Sequence, residues 1–257
     1  MSPSTTNAPG PTGRRAGTRP WGRWAGTRPW GRHATAAAAG IGLLAVSWLL
    51  LADRNDTVPE WEIHVFDAVN GLPDVLRWPL WPIMQLGAFA MYVIGGAATY
   101  ALTRRARPAL AAALGVLLAW GLSRLVKETI ERGRPAVLLD DVTVRDSADG
   151  YGYVSGHSAV AFGLATVLTA LLPGRWRWVP YPVAAGVGFA RIFFGAHLPL
   201  DVVGGAGAGL LGGVAALVVF GADVEPDPPQ PDPPGPGPDR DPEDVAASAG
   251  AYERPSG

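Results

Sequence analysis

Residues 191–222 read RIFFGAHLPLDVVGGAGAGLLGGVAALVVFGA, a polar segment followed by an apolar run. The run over 202–222 carries no charged side chain, and it has the ~20 residues that a helix needs to cross a bilayer. Gly205, Gly209 and Gly213 recur every four residues in it, which indicates a face of small residues for close helix packing. A dinucleotide-binding loop would need a preceding strand, and this segment is apolar. The stretch therefore predicts a membrane-spanning helix with polar residues just before it.

Five further apolar runs precede this one, and short charged clusters separate them. Charged residues make up only 17% of the chain, and a low share combined with long uncharged runs is typical of a membrane protein. The sequence therefore predicts an all-α fold, an integral membrane bundle of six helices. The six predicted spans are 34–52, 79–102, 108–126, 158–174, 178–194 and 202–222.

The distribution of arginines predicts how the bundle is oriented in the cell membrane. Residues 1–33 contain six arginines and no acid, and the links around 104–107 and 175–177 are also basic. Because cytoplasmic segments carry the excess of Lys and Arg, these three segments are predicted to be cytoplasmic, together with both termini. The acidic loops over 53–78 and 127–157 then face the outside, and an active site built from them lies at the outer membrane edge.

The two ends of the chain have compositions that favour disorder. Residues 1–33 are rich in Arg, Pro and Gly and contain GTRPWGR twice, at 17–23 and 26–32, which predicts a disordered cytoplasmic arm. Residues 223–257 are acidic and rich in proline, which predicts a disordered tail. The domain between them, 34–222, is the predicted six-span unit. A net charge of −1 argues against nucleic acid as a partner, and a chain without cysteine has no thiol-based metal site.

Three clusters of polar residues fall on the predicted outer side, and the first contains the only lysine. Lys127 stands against 20 arginines in the chain, and Arg134 follows it by seven residues. Residues seven apart share one face of a helix. Because Pro135 disfavours helical geometry at Arg134, the third helix is expected to end there, with two cations near the interface. The alternative is that both are ordinary basic residues flanking a span, with their charges in water.

The second cluster, YVSGHSAV over 153–160, opens the fourth span. Ser155 is a natural N-cap, and Gly156 allows close approach to the backbone. The first amides of a helix point outward and favour an anion, and His157 stands beside that site. The alternative is a plain helix cap with an incidental histidine.

The third cluster, ARIFFGAHLPLD over 190–201, joins the fifth and sixth spans. Arg191 lies within the apolar end of a span, where a charge is costly unless it serves a partner. Asp201 follows His197 by four residues, in an opening helical turn where the helix dipole keeps a carboxylate ionised. It can accept a proton from one imidazole nitrogen and leave the other free to attack. Compensation of the helix dipole would account for Asp201 alone, but not for Arg191 or His197.

Together the three clusters indicate phosphate chemistry. Three cations and the amides of a helix N-terminus suit a phosphate group, whose transfer depends on charge stabilisation and positioning. One histidine can attack phosphorus while the other protonates the leaving oxygen. Asp140 and Asp141 suggest a cation site, but acids in a loop this polar are more often solvated. No metal and no cofactor are therefore expected.

These residues resemble the type-2 phosphatidic acid phosphatase superfamily, which includes lipid phosphatases and vanadium haloperoxidases. The family pattern is Lys, six residues, Arg-Pro; then Pro-Ser-Gly-His; then Ser-Arg, five residues, His, three residues, Asp. Between residues 60 and 222 this chain matches every spacing. Val154 replaces the usual proline and Ala190 the usual serine, which implies altered fine geometry and not lost activity. The matching residues are Lys127, Arg134, Pro135, Ser155, Gly156, His157, Arg191, His197 and Asp201.

The resemblance implies a role for the matching residues. His197 is implied as the nucleophile that forms a phosphohistidine, with Asp201 orienting it. His157 is implied as the general acid for the leaving alcohol and then as the base for water. The groups implied to hold the phosphoryl oxygens are Lys127, Arg134, Arg191 and the amides of Ser155 and Gly156.

The implied function is a membrane phosphatase that hydrolyses lipid phosphates or pyrophosphates at the outer face without metal. Candidate substrates are undecaprenyl pyrophosphate, phosphatidic acid and phosphatidylglycerophosphate. A phosphotransferase is one alternative, in which the same phosphohistidine passes its phosphoryl group to a lipid or sugar alcohol. A vanadate-dependent haloperoxidase and a non-catalytic lipid-binding or scaffold protein are the others. The pattern does not predict the oligomeric state.

Overall fold

The structure, a computed structural model, describes residues 29–51, 57–146 and 149–220, and its regular elements are all helical. The predicted all-α class is confirmed for these ranges. The predicted arm over 1–33 and tail over 223–257 lie outside them, except that the first helix begins at Pro29. The α-helices in the described residues are α1 Pro29–Leu49, α2 Glu60–Asn70, α3 Arg77–Gln85, α4 Met91–Thr103, α5 Ala106–Ile130, α6 Pro135–Leu138, α7 Gly156–Leu171, α8 Pro180–Phe193 and α9 Pro199–Phe220. Short 3₁₀ helices over Asp74–Leu76 and Gly174–Trp178 precede α3 and α8.

One of the six predicted spans is interrupted. Five of them correspond to single helices, namely α1, α5, α7, α8 and α9. The prediction of one span over 79–102 is wrong, because α3 ends at Gln85 and α4 begins only at Met91. Pro82 lies inside α3, where its missing N–H and its ring weaken the helix. In the break, a Cβ at Gly87 would lie 2.6 Å from the His157 carbonyl oxygen, so the chain here packs against the first turn of α7.

Two helices in the described part of the chain are long and apolar enough to cross a membrane. One is the helical segment Ala106–Leu138, which consists of α5, α6 and the short turn between them, and the other is α9. His33–Leu49 and Gly156–Leu171 are shorter apolar helices. These helices indicate membrane association, whereas the complete six-span bundle, its orientation and the sides of the termini stay predictions.

α9 packs against α1, α5 and α7 and forms the centre of the bundle. Its predicted face of small residues is confirmed and lies against α7. A Cβ at Gly209 would lie 2.5 Å from the Ala159 carbonyl oxygen, and one at Gly205 would collide with the Ser155 carbonyl oxygen. Gly213 makes a third close approach of the same kind. The start of α7 is thereby brought beside the start of α9.

α5 ends earlier than the sequence predicted. Its last helical residue is Ile130, and Glu131 adopts a left-handed conformation with φ 51°, whereas an end near Arg134 was expected. Because this turn lies between them, Lys127 and Arg134 do not share a helix face. They reach the site from two different segments.

Replacing Gly209 with alanine is expected to destabilise the bundle by roughly 1–3 kcal/mol, because the added methyl group overlaps the α7 backbone. The thermal unfolding midpoint in detergent, followed by circular dichroism, measures this effect. Gly121→Ala in α5 is the matched control, since a Cβ there meets nothing within 4 Å and alanine favours a helix. Equal midpoints for Gly209→Ala and the wild type would contradict the close packing of α9 on α7.

Candidate active site

The three polar clusters converge on one cavity of about 510 Å³ at the ends of α5, α7 and α8. Ser155 and Asp201 are the predicted site residues that do not line it, and both are fully buried. The predicted site residues that do line it are Lys127, Arg134, Gly156, His157, Arg191 and His197. The other lining residues are Trp120, Ser123, Arg124, Glu128, Asp146, Asp149, Gly150 and Tyr151.

His197 lies between α8 and α9, and its two ring nitrogens have different surroundings. Nδ1 lies 3.4 Å from Asp201 Oδ2, and Nε2 lies 3.4 Å from Arg134 Nη1. Asp201 Oδ2 also accepts a hydrogen bond of 2.9 Å from the Leu198 amide, which fixes the carboxylate. A carboxylate facing Nδ1 favours the tautomer with its proton there, so that Nε2 keeps its lone pair.

Burial and nearby positive charge keep His197 neutral. The residue is only 2% exposed. This burial, together with the charges of Lys127, Arg191 and Arg134, holds the pKa of His197 well below its ordinary value. At neutral pH the imidazole is therefore unprotonated, which is the form that can act as a nucleophile.

Backbone carbonyl oxygens orient two of the three cations that were predicted to bind phosphate. Lys127 Nζ donates to the carbonyl oxygens of Tyr151 and Gly152, at 2.8 and 3.1 Å. Arg134 donates from Nη2 and Nε to the carbonyl oxygens of residues 149–150, at 2.7 and 2.9 Å. Because a carbonyl oxygen carries no net charge, both side chains are held in place while their positive charge stays available to an anion.

Arg191 is the third cation, and it has a carboxylate partner that the sequence did not predict. Its Nη1 lies 2.7 Å from Asp146 Oδ2, although Asp146 was assigned only to the acidic outer loop. The Arg191 side chain is 4% exposed, against 37% for Asp146. Arg191 Nε is a buried donor with no acceptor within the described residues. The Nε–H of Arg191 can therefore donate a hydrogen bond to a bound anion.

The neighbouring Arg145 anchors the loop that carries Asp146. Its Nη1 donates to the carbonyl oxygens of Asn70 and Phe193, each at 2.7 Å. Its Nε pairs with Asp74 at 2.7 Å. The loop is thereby tied to the ends of α2 and α8, which holds the Asp146 carboxylate in place.

Ser155 caps α7 as predicted, but it does not face the cavity. Its Oγ accepts a hydrogen bond of 3.3 Å from the Ser158 amide, which confirms the N-cap. Its own amide donates to the Asp201 carbonyl oxygen at 2.8 Å. This contact differs from the expectation that the Ser155 amide holds a phosphoryl oxygen, because the amide already joins α7 to α9. Gly156 is the predicted amide donor that lines the cavity.

His157 lines the same cavity from the first turn of α7. Gly87 packs against its backbone and Cβ from the break between α3 and α4. His157 and His197 thus reach one cavity from two different elements. This arrangement suits a group that is attacked by one histidine and protonated by the other.

Two buried charged residues, Glu62 and Arg132, were not predicted as part of the site. Arg132 Nη1 lies 2.9 Å from Asp201 Oδ1, and its Nη2 lies 2.7 Å from Glu62 Oε2. All three side chains are fully buried. The position of Arg132 between Lys127 and Arg134 in the sequence was a signal that it belongs to the site. No local pattern indicates its partner Glu62, which lies 70 residues away.

The chain is similar to a known protein family over the segment that carries the site. The profile of the PAP2 superfamily matches residues 108–224, the segment that carries all three polar clusters. This match confirms the resemblance drawn from the motifs over these residues. A comparison with curated proteins gives no match.

Two solved structures resemble this fold. LpxE of Aquifex aeolicus aligns with a TM-score of 0.55 at 26% identity, over 61% of this chain and 94% of that protein. A transmembrane PAP2-type phosphatidylglycerolphosphate phosphatase of Bacillus subtilis aligns with a TM-score of 0.52 at 22% identity, over 70% of this chain and 95% of that protein. The second likeness, at this level of identity, shows a shared fold.

Lys127→Met is expected to raise the pKa of His197, because one of the positive charges that lower it is removed. Burial still acts in the variant, so the pKa stays below its ordinary value. NMR of protein carrying ¹³C-labelled histidine, titrated in detergent without substrate, measures the shift. Arg175→Met, an exposed arginine between α7 and α8, is the control that removes an equal charge elsewhere. An unchanged pKa in Lys127→Met would contradict the electrostatic account of the site.

Proposed function

We propose that this chain is a membrane lipid phosphatase that hydrolyses a lipid phosphate or pyrophosphate through a phosphohistidine at His197. One observation carries the proposal. His197 lines a cavity that also holds Lys127, Arg134 and Arg191, while Asp201 lies 3.4 Å from its Nδ1. The cations neutralise a phosphate that a neutral imidazole then attacks. The match of residues 108–224 to the PAP2 superfamily profile supports the same activity, and the fold is one that a phosphatidylglycerolphosphate phosphatase shares.

In the first half of the reaction, Nε2 of His197 forms a bond to phosphorus while the bond from phosphorus to the leaving oxygen breaks. The leaving oxygen keeps the electron pair and takes a proton from His157, which enters this step protonated. In the protein alone, burial and the charge of Arg191 lower the pKa of His157 to about 3. An anionic phosphate beside the ring raises this pKa, and the ring takes up its proton as the substrate binds. The His197 ring becomes positive, and Asp201 stabilises it through the proton on Nδ1.

In the second half of the reaction, water releases the phosphate. His157, now neutral, takes a proton from a water molecule whose oxygen attacks phosphorus. The nitrogen–phosphorus bond breaks, and its electron pair returns to Nε2 of His197. Inorganic phosphate leaves, and both histidines are back in their starting states.

The position of the cavity suits a lipid headgroup. It lies at the end of α5, a helix apolar enough to cross a membrane. Trp120 lines the cavity and packs on Phe89 with ring centroids 4.5 Å apart, and both side chains are partly exposed. Aromatic side chains of this kind favour the membrane interface. A substrate would enter from the side at the extracytoplasmic face, with its tail left in the bilayer.

Detergent-purified protein is expected to release phosphate in the presence of EDTA, because Lys127, Arg134 and Arg191 supply the stabilising charge. The described residues contain no group of three or more His, Asp or Glu side chains suited to a metal ion. Undecaprenyl pyrophosphate, phosphatidic acid and phosphatidylglycerophosphate form the substrate panel, and their relative rates rank them. His197→Ala is expected to lower kcat by roughly 10³-fold or more.

His64→Ala, which changes an exposed histidine of α2, is the matched control and is expected to keep full activity. Release that is lost in EDTA, or that survives His197→Ala, would contradict the mechanism. No release from any lipid would favour the phosphotransferase or the binding protein. A phosphorylated product formed from an added alcohol would then identify the transferase.

His157→Ala is expected to affect substrates according to their leaving group. An alkyl phosphate needs its leaving oxygen protonated, so its rate is expected to fall by about 10²- to 10⁴-fold. The leaving oxygen of p-nitrophenyl phosphate is far more acidic, so the burst of p-nitrophenol is expected to fall much less. Rapid mixing measures the first release of the leaving alcohol from both substrates, by absorbance for p-nitrophenol and by quenching and chromatography for the alkyl alcohol. Equal losses for both substrates would contradict a general-acid role for His157.

A further inference from the structure

Glu62 and Arg132 are buried charged residues that the proposed reaction does not use. Both side chains are 0% exposed, and Arg132 is among the largest fully buried side chains in the described residues. Buried ions are retained only when they are paired and hydrogen-bonded. Arg132 contacts the carboxylate that faces the proposed nucleophile, and Glu62 contacts Arg132, which points to a role in orienting it.

The contacts form an unbroken line from α2 to the nucleophile. Glu62 Oε2 accepts a hydrogen bond of 2.7 Å from Arg132 Nη2, and Arg132 Nη1 donates to Asp201 Oδ1 at 2.9 Å. The second oxygen of Asp201 accepts from the Leu198 amide at 2.9 Å and lies 3.4 Å from His197 Nδ1. Each oxygen of Asp201 therefore has its own partner, and the carboxylate plane is fixed by both.

The signs of the charges along this line matter as much as the contacts. Arg132 alone beside Asp201 would cancel the negative charge that the His197 ring feels. Glu62 offsets Arg132, so the three buried side chains carry one net negative charge. Because the ring becomes positive when Nε2 bonds to phosphorus, a net negative charge behind it stabilises the transition state more than the resting state.

We propose that Glu62 and Arg132 are positioning residues for phosphohistidine formation: Arg132 fixes the Asp201 carboxylate against His197, and Glu62 keeps that carboxylate's charge available to the ring. This inference rests on the proposed function. A purely structural role is the alternative, in which the buried ions only join α2 to α9. Loss of folded protein is then the only effect of changing them.

Glutamine is the informative substitution at Glu62, because it keeps a backbone contact. Glu62 Oε1 accepts a hydrogen bond of 2.8 Å from the Leu200 amide in the first turn of α9, and a glutamine oxygen can accept the same bond. Glu62→Gln thus removes the charge while keeping this link. Glu60→Gln, the same change at an exposed position of α2, is the matched control.

The first readout separates kcat from KM in folded protein isolated by size exclusion. Glu62→Gln is expected to lower kcat for the best lipid substrate by about 10- to 100-fold. KM is expected to change by no more than about 2-fold, because no group that touches substrate is altered. Inhibition by vanadate, which adopts the five-coordinate geometry of the transition state, is expected to weaken with kcat, whereas inhibition by inorganic phosphate stays the same.

The second readout tests the charge directly in a double variant. Adding Arg132→Met to Glu62→Gln restores one net negative charge behind His197 but removes the Arg132 contact to Asp201. Because the Leu198 amide still holds the carboxylate and the restored charge acts directly on the ring, kcat is expected to recover at least about 3-fold over the single variant. A structural role predicts no recovery, since a second buried contact is lost. If Glu62→Gln does not fold, Arg132→Lys is measured in its place. A lysine keeps the positive charge but lacks the planar guanidinium that contacts both Glu62 and Asp201. Its kcat is expected to be about 10-fold lower than that of the wild type.

Three results would overturn the positioning role. They are unchanged kcat in folded Glu62→Gln, unchanged kcat in folded Arg132→Lys, and a double variant slower than the single one. An active wild type with any of these results contradicts the positioning role alone. A wild type that releases no phosphate from any lipid overturns the proposed function and this inference together.

Discussion

The buried carboxylate of Asp201 is the group on which the rest of the site depends. A charge in an apolar helix is costly unless it is paired, and here Arg132 and the Leu198 amide each contact one oxygen at 2.9 Å. The backbone carbonyl oxygen of Asp201 accepts a hydrogen bond of 2.8 Å from the Ser155 amide. One residue therefore joins the first turn of α9, the cap of α7 and the turn after α5. Because the same carboxylate faces His197, the position of the proposed nucleophile follows from how this charge is satisfied.

The site separates charges that stay buried from charges that can meet a substrate. Glu62, Arg132 and Asp201 satisfy one another inside the bundle. Lys127 and Arg134 are held by carbonyl oxygens, which carry no net charge and so do not neutralise these two cations. The wall of the cavity is thus rich in cations, while the carboxylate that orients the nucleophile lies behind it. The close packing of α9 on α7, which glycines permit, brings these two layers together.

The motif spacings predicted six of the residues that line the cavity, and the packing of distant segments supplied the rest. His197 and Asp201 lie four residues apart, so local geometry decides their contact. Arg132 and Glu62 lie 70 residues apart, and several acids near Glu62 in the sequence were equally good partners. The use of the Ser155 amide depends on where α7 meets α9, which no local pattern shows. The break between α3 and α4 was missed because an apolar run has the same composition whether its helix is continuous or interrupted.

Mapping the covalent intermediate is the measurement that tests the role of His197 most directly. Wild-type protein is mixed with ³²P-labelled phosphatidic acid, quenched rapidly in alkali, where a phosphorus–nitrogen bond survives, and digested for mass spectrometry. The predicted result is a single label, stable in alkali and lost in acid, on the peptide that contains His197. Turnover with the label on another residue, or turnover without any covalent label, would contradict a phosphohistidine at this position.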